Sequence, residues 1–331
     1  MGVDRVAAVD GVTPPMRPVA GFWRRVFAFF IDCLLLAIAG AVAGWMAFDA
    51  MASLGFYGRL IGFVVALAYF GVLNSRIGGG QTLGKRLLGV RVVDAQGRLL
   101  ALPRSLLRYC VLGIPFAING MPFGPTAMQW PWVSLLSAIA AGGMLSVVYL
   151  YIFNRRTRQS LHDLAVGSLV VPAEPAGGPV AAVAVWRGHL VVVALLFVLT
   201  AVMPPVLDAH FEIDILDDLV NIHRAIADQP GVQAAEFEAG FDTGTWEPNG
   251  EVEARIRLAA GPFDEERARE FARAILGTEL GTLEIEQLSI VLQRGFDLGF
   301  ASGWRNHQFD FDAAEFQPDP PDEGAPLDGT E

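Results

Sequence analysis

The sequence predicts an all-α membrane bundle of about five transmembrane helices followed by a small soluble α+β domain, and three observations carry that prediction. Hydrophobic residues make up 53% of the 331-residue chain, above the roughly 45–50% of soluble globular proteins. Charge is split along the chain: residues 1–206 hold 16 Lys and Arg against 7 Asp and Glu, and residues 207–331 hold 8 against 28, so the net −11 resolves into +9 and −20. Long uncharged runs fall in the basic part, and amphipathic patterns follow in the acidic part. A nucleic-acid partner is excluded, because it needs a basic surface and the soluble-looking part is acidic. Cys33 and Cys110 lie in apolar runs and the acidic part has no cysteine, which excludes a disulfide scaffold.

The first helix is expected at 26–48, where Asp32 is the one charge in the 23 residues from Val26 to Phe48. At 1.5 Å per residue that run crosses a hydrocarbon core of about 30 Å. No small-residue cleavage site follows it at signal-peptide spacing, so it reads as retained. Shorter apolar runs predict helices at 59–74 and 105–121, the latter interrupted by Arg108, Pro115 and Asn119. Uncharged stretches of 22 residues from Trp132 to Phe153 and 17 from Leu190 to Val206 predict helices at 131–153 and 188–206. Basic residues gather before the first helix (Arg17, Arg24, Arg25), before the third (Arg76 to Arg104) and after the fourth (Arg155, Arg156, Arg158). Short basic loops stay in the cytoplasm. The segment 1–20 and the linker 173–187 are therefore placed inside, and the fifth helix exports everything after Pro204. A four-span alternative leaves 106–121 interfacial or re-entrant, since Pro115 and Gly120 weaken a helix there.

Three motifs then carry a resemblance. They are Gly21-Phe-Trp-Arg-Arg-Val-Phe-Ala-Phe-Phe-Ile-Asp32, the loop from Gly80-Gln-Thr-Leu-Gly-Lys85 to Asp94, and Arg155-Arg-Thr-Arg-Gln-Ser-Leu-His-Asp163 with the Leu-Ala-Val-Gly-Ser-Leu-Val-Val that follows. In that order they resemble the first helix, cytoplasmic loop and closing segment of the RDD family of bacterial membrane proteins. The likeness covers residues 21–172, about half the chain, and puts the family's naming residues on Arg25, Asp32 and Asp163. It implies a multi-pass domain in the bacterial inner membrane, linked in some members to cation and proton exchange. It does not reach residues 207–331.

Arg25 and Asp32 are two helical turns apart, so they share a face at depths about 10 Å apart. An ionised carboxylate inside an apolar run is costly, about 2.5–3.5 kcal/mol on insertion scales, so Asp32 should face the bundle with a partner or be protonated. Asp163 follows the fourth helix at the same border as Arg25 and is expected to pair with it. The trio is either a proton or small-cation site or a structural charge anchor. Gly79 to Lys85 fits the first positions of a phosphate-binding loop, but Arg86 stands where a Ser or Thr is required. The better reading is a glycine turn into a basic segment, Leu83 to Leu88, resting on membrane lipids through Lys85 and Arg86. Val90 to Asp94 and Arg98 to Leu100 flank Gln96-Gly97 and predict a β-hairpin, with Gly167 to Val171 as a third strand. Gly40 with Gly44, and Gly58 with Gly62, are spaced to admit another backbone.

Residues 207–316 read as helix, strand, strand, helix, strand: a helix at 212–227, strands at 232–241 and 252–258, a helix at 264–276 capped by Asp264, and a strand at 283–293 before a last aromatic segment. That order predicts one sheet backed by helices, ferredoxin-like in outline. The tail 317–331 lacks core-forming residues and is expected to be disordered. His210, His223 and His307 are scattered, and no nucleophile or metal-ligand spacing occurs. The expectation is a protein without enzymatic activity, catalytic residues, metal or cofactor. It would bind or move a small solute, such as a cation coupled to protons, and its outer domain would meet a protein partner; the alternative is a membrane anchor for that domain.

Overall fold

The computed structural model describes residues 17–119, 131–174, 178–180, 184–210, 214–241, 248–281 and 283–316. Most of the expected amino-terminal segment 1–20, parts of the linker 173–187 and the whole tail 317–331 lie outside the described residues.

Helix α1 (Phe22–Met46) buries one stripe, Ala28, Asp32, Leu36, Gly40 and Gly44, at the four-residue spacing of a helix face. Its other faces expose Phe27, Phe30, Leu34, Ile38 and Val42. A helix that is apolar all round belongs in an apolar solvent. After the short α2 (Phe48–Ser53), α3 (Tyr57–Leu73) returns antiparallel and buries Gly58, Gly62, Ala66 and Phe70 at the same spacing. Helix α4 (Leu83–Leu87) packs on α1 and leads into strand β1 (Val90–Asp94). Helix α5 (Leu102–Ile118) starts with a proline in its first turn and carries Pro115 inside, where Pro115 packs on Gly143.

Helices α6 (Pro131–Ser137) and α7 (Gly143–Phe153) are one rod interrupted by a π turn at Ala138–Gly142. Helix α8 (Leu161–Val166) ends at Gly167, whose φ of 62° continues directly into strand β2 (Ser168–Pro172). Helix α9 (Arg187–His210) packs against the π turn. By length and composition, three of these helical stretches can cross a membrane: Phe22–Met46, Trp132–Phe153 and Arg187–Val206. Helices α3 and α5 have 17 residues each, about 25 Å of rise. That falls short of the nominal core of about 30 Å.

The small sheet corrects one expectation. β1 pairs antiparallel with β2, from Val90↔Pro172 to Asp94↔Ser168, and Arg98–Leu100 forms no strand beside it. The Asp94 carboxylate accepts the backbone N–H groups of Gln96 and Arg98 and closes a tight turn, after which Leu100 bridges Ser75 instead.

In the carboxyl-terminal part, α10 (Asp214–Ala227) and α11 (Glu265–Leu276) pack Ile222, Ile226, Phe271 and Ile275 against a four-stranded sheet. The strands are β3 (Val232–Phe241), β4 (Pro248–Leu258), β5 (Gln287–Asp297) and β6 (Ser302–Asp312). They lie in sequence order; β4 and β5 are parallel and the outer pairs antiparallel. The order is two helix–hairpin units joined side by side, which differs from the ferredoxin-like outline of strand–helix–strand twice over. The last aromatic segment is a full edge strand, and β5 begins four residues later than expected. The Asp218 carboxylate accepts the N–H groups of Gly281 and Leu283 and holds that approach segment off the ladder.

The two parts of the chain touch through the β5–β6 hairpin. Its tip seats Phe296 against Gly44, Trp45 and Phe48 of the bundle. The Leu298 and Asp297 carbonyls press on Gly62 and Gly58, where an added Cβ would lie 1.9 Å and 2.7 Å from those oxygens. Arg59 Nε donates to Asp297 Oδ2 at 2.7 Å. The Gln233 amide donates to the Ala52 and Ser53 carbonyls. The two glycine pairs thus receive a hairpin and not a helix.

Candidate functional site

At the end of the bundle away from that hairpin, four segments, α1, α4, α5 and α8, bring their charges together, and α3 adds a hydroxyl. Asp32, fully buried on α1, accepts from the Tyr69 hydroxyl of α3 at 2.7 Å, from the Thr82 hydroxyl, and from the Gly84 N–H at 2.8 Å. Gly84 has to be glycine: a Cβ would lie 2.1 Å from the Ala28 carbonyl, so α4 could not lie on α1. Asp163, at the third position of α8, accepts from Arg25 Nη2 at 2.8 Å, from Arg108 Nε and Nη2 at 3.0 and 2.8 Å, and from the Ser168 hydroxyl at 2.7 Å. Arg25 also lies over the Tyr151 ring, 5.1 Å from its centre.

Of the three residues singled out in the sequence, the structure joins Arg25 to Asp163 and leaves Asp32 with other partners. Sequence reasoning missed Arg108 as a member, although a lone arginine in an apolar run is the same signal that marked Asp32. It also aimed Lys85 at the lipid surface. Arg86 is exposed, but Lys85 is buried, and among the described residues its ammonium donates only to Thr82 Oγ1, at 3.4 Å.

Electrostatics follow from this packing. Burial raises the Asp163 carboxyl, but Arg108 and Arg25 overcome that and hold it well below the ordinary carboxylate range. Burial pushes His162 down to about 3, with Arg108 and Arg25 adding to the effect. Burial, with Arg108 beside it, brings Lys85 down to about 7. His162 is thus neutral, and the cluster sets three basic side chains, Arg25, Lys85 and Arg108, against two carboxylates.

Beside the cluster lies a cavity of about 300 Å³, lined by Arg25, Lys85, Arg108 and His162 at one end and by Phe116 and Val148 at the other. A second cavity, about 460 Å³, shares the Phe70 and Tyr109 wall and is bounded by Leu298, Gly299 and Phe300 of the hairpin. Phe70 and Tyr109 stack at 5.2 Å between centres. Two buried polar atoms on residues lining the first cavity, Asn74 Oδ1 and His162 Nδ1, have no hydrogen-bond partner among the described residues.

Residues 19–167, the stretch that builds this cluster, match the model of the RDD family. The uncharacterized protein YxaI of Bacillus subtilis (strain 168) is 32% identical over 115 residues, covering 28% of this chain and 76% of that protein. The chain belongs to the RDD family. A second relative, the uncharacterized protein YckC of the same organism, is 27% identical over 156 residues, 47% of this chain and 86% of YckC. No solved structure matches the chain. With its apolar helices, this RDD-family chain is a membrane protein. The family match ends before α9 and the four-stranded part.

Proposed function

We propose that this RDD-family protein is a multi-pass protein of the bacterial inner membrane, without enzymatic activity, that binds a small solute in the cavity beside the charge cluster. Its five spans are α1, α3, α5, the α6–α7 rod and α9, the shorter two accommodated by local thinning of the bilayer. The amino terminus is cytoplasmic and the four-stranded domain lies outside. Two features support that topology: the basic residues collect at the α4 and α8 end, and the domain contacts the bundle at the opposite, α2 end.

The observation that carries the binding reading is the cavity with Asn74 Oδ1 and His162 Nδ1 unsatisfied beside it. A buried polar atom without a partner costs about 1–3 kcal/mol, and a solute or ordered water that completes the network removes that cost. Exchange of sodium, potassium or protons at Asp32 is the less favoured version, because this carboxylate already accepts three hydrogen bonds. The anchor reading, in which the cluster only locks the bundle beneath its outer domain, is favoured by the full pairing of Asp163.

Proteoliposome flux under sodium, potassium and proton gradients, together with thermal unfolding in the presence of solutes, separates these versions. The expected result is background cation flux and solute-dependent stabilisation. Gradient-driven flux that Asp32→Asn abolishes at normal protein levels would assign exchange to Asp32. Neither flux nor stabilisation would leave the anchor.

A further inference from the structure

We propose that the first cavity binds a single anionic amphiphile, its charged and hydroxyl-bearing headgroup at Lys85 and Asn74 and its acyl chain lying between α1, α5 and α7. The proposal rests on the solute-binding reading above and names the class of solute. Three observations carry it. First, the polar end is short of negative charge: Arg25 and Arg108 are paired with Asp163, Asp32 is held by Tyr69, Thr82 and Gly84, and Lys85, nine-tenths buried, has no ion pair among the described residues. A buried ammonium without an anion is costly, and an arriving anion removes that cost.

Second, the polar end also holds an acceptor in need of a donor. Asn74 Nδ2 already donates to the Phe70 carbonyl at 2.8 Å, whereas Asn74 Oδ1 is buried with no donor to it among the described residues. A carboxylate or a phosphodiester anion by itself offers no proton there, but a headgroup hydroxyl does. Third, the other end is apolar and opens sideways. Phe29, Phe116, Val148 and Ile152 line it and are 42–52% exposed on faces of α1, α5 and α7 that the proposed topology turns to lipid. A water-soluble anion gains nothing from such walls, whereas an acyl chain lies along them by van der Waals packing, as it would against any lipid-facing helix.

The test uses the full chain in an uncharged detergent, with native mass spectrometry and thermal unfolding as readouts. The probes are lysophosphatidylglycerol, lysophosphatidylcholine of the same chain length, glycerol 3-phosphate, and sodium or potassium chloride. The expected result is one lysophosphatidylglycerol per chain, bound at least about tenfold more tightly than the other three. Lys85→Met, which removes the charge, and Val148→Trp, which narrows the apolar mouth without touching the cluster, should each weaken it by about that factor. Equal binding of lysophosphatidylcholine, or full retention of binding in Val148→Trp, overturns the proposal. Glycerol 3-phosphate binding as tightly as the lipid, or stabilisation by cations alone that Val148→Trp removes, also overturns it while leaving the solute-binding reading in place.

Discussion

His162 and Asp163 sit side by side in one turn of α8, yet their protons respond to folding at different pH. His162 is driven from 6.5 to about 3 by burial, so between those values the unfolded chain binds a proton that the folded chain refuses. Stability therefore falls as pH drops from about 6.5 towards 3, by roughly 1.4 kcal/mol per unit while that one group dominates. Asp163 is depressed below its ordinary 3.8; its contribution is complete above that value and is lost only in stronger acid. Lys85, brought from 10.5 to about 7, makes stability fall in the same sense across the alkaline range and is protonated in both states below it. Thermal unfolding across pH should therefore show the decline continuing below neutrality, and His162→Gln should flatten it from about pH 6.5 down to about pH 4. A His162→Gln profile that superimposes on the wild type would place the titrating group elsewhere. At this scale the sequence was half legible. Arg25, Asp32 and Asp163 stand out as charges in or beside apolar runs, but the burial of Lys85 is decided by Gly84 letting α4 lie on α1, a contact that no local pattern encodes.

The elements were more legible than their partners. Long apolar runs marked α1, α3, the α6–α7 rod and α9, and amphipathic or alternating spacing marked α11 and β3, because burial on one face writes itself into spacing. What received the two glycine pairs was not readable, since Gly40, Gly44, Gly58 and Gly62 announce a close approach without naming the visitor, which comes from residues 296–301. Backbone oxygens cannot rotate away as a side chain can. Gly62→Val should therefore unseat the hairpin and lower stability by about 1–3 kcal/mol, read as a drop in the unfolding midpoint. Gly21→Ala, at a glycine with open space around it, is the control. A Gly62→Val midpoint as high as that of the control would mean that the hairpin contact contributes nothing. Where the strands themselves were misjudged, side chains had intervened: the Asp94 carboxylate takes the Arg98 N–H, so the hairpin stops at the single backbone bond from Asp94 N–H to the Arg98 carbonyl, and Asp218 delays the start of β5.

For the whole molecule, the division into a basic apolar part and an acidic amphipathic part was visible in composition, while the way the two meet was not. The proposed topology makes a simple prediction about sidedness. Single cysteines at Ser53 and Glu266, both exposed, should react with a membrane-impermeant maleimide on intact cells, and one at exposed Gln96 should react only after lysis. Protection of Glu266→Cys alongside a labelled Ser53→Cys would support the four-span alternative and would break the contact between α2 and β5 as it stands here. That contact also sets an order of events in biogenesis. Arg59 waits 238 positions along the chain for Asp297, so the α1–α3 groove must enter the membrane vacant, and under the proposed topology it stays so until α9 has been inserted and the residues beyond it exported and folded. A nascent chain truncated after α9 would leave the groove open to lipid or to insertion chaperones, and maturation ends only when the last hairpin arrives from the far side of the membrane.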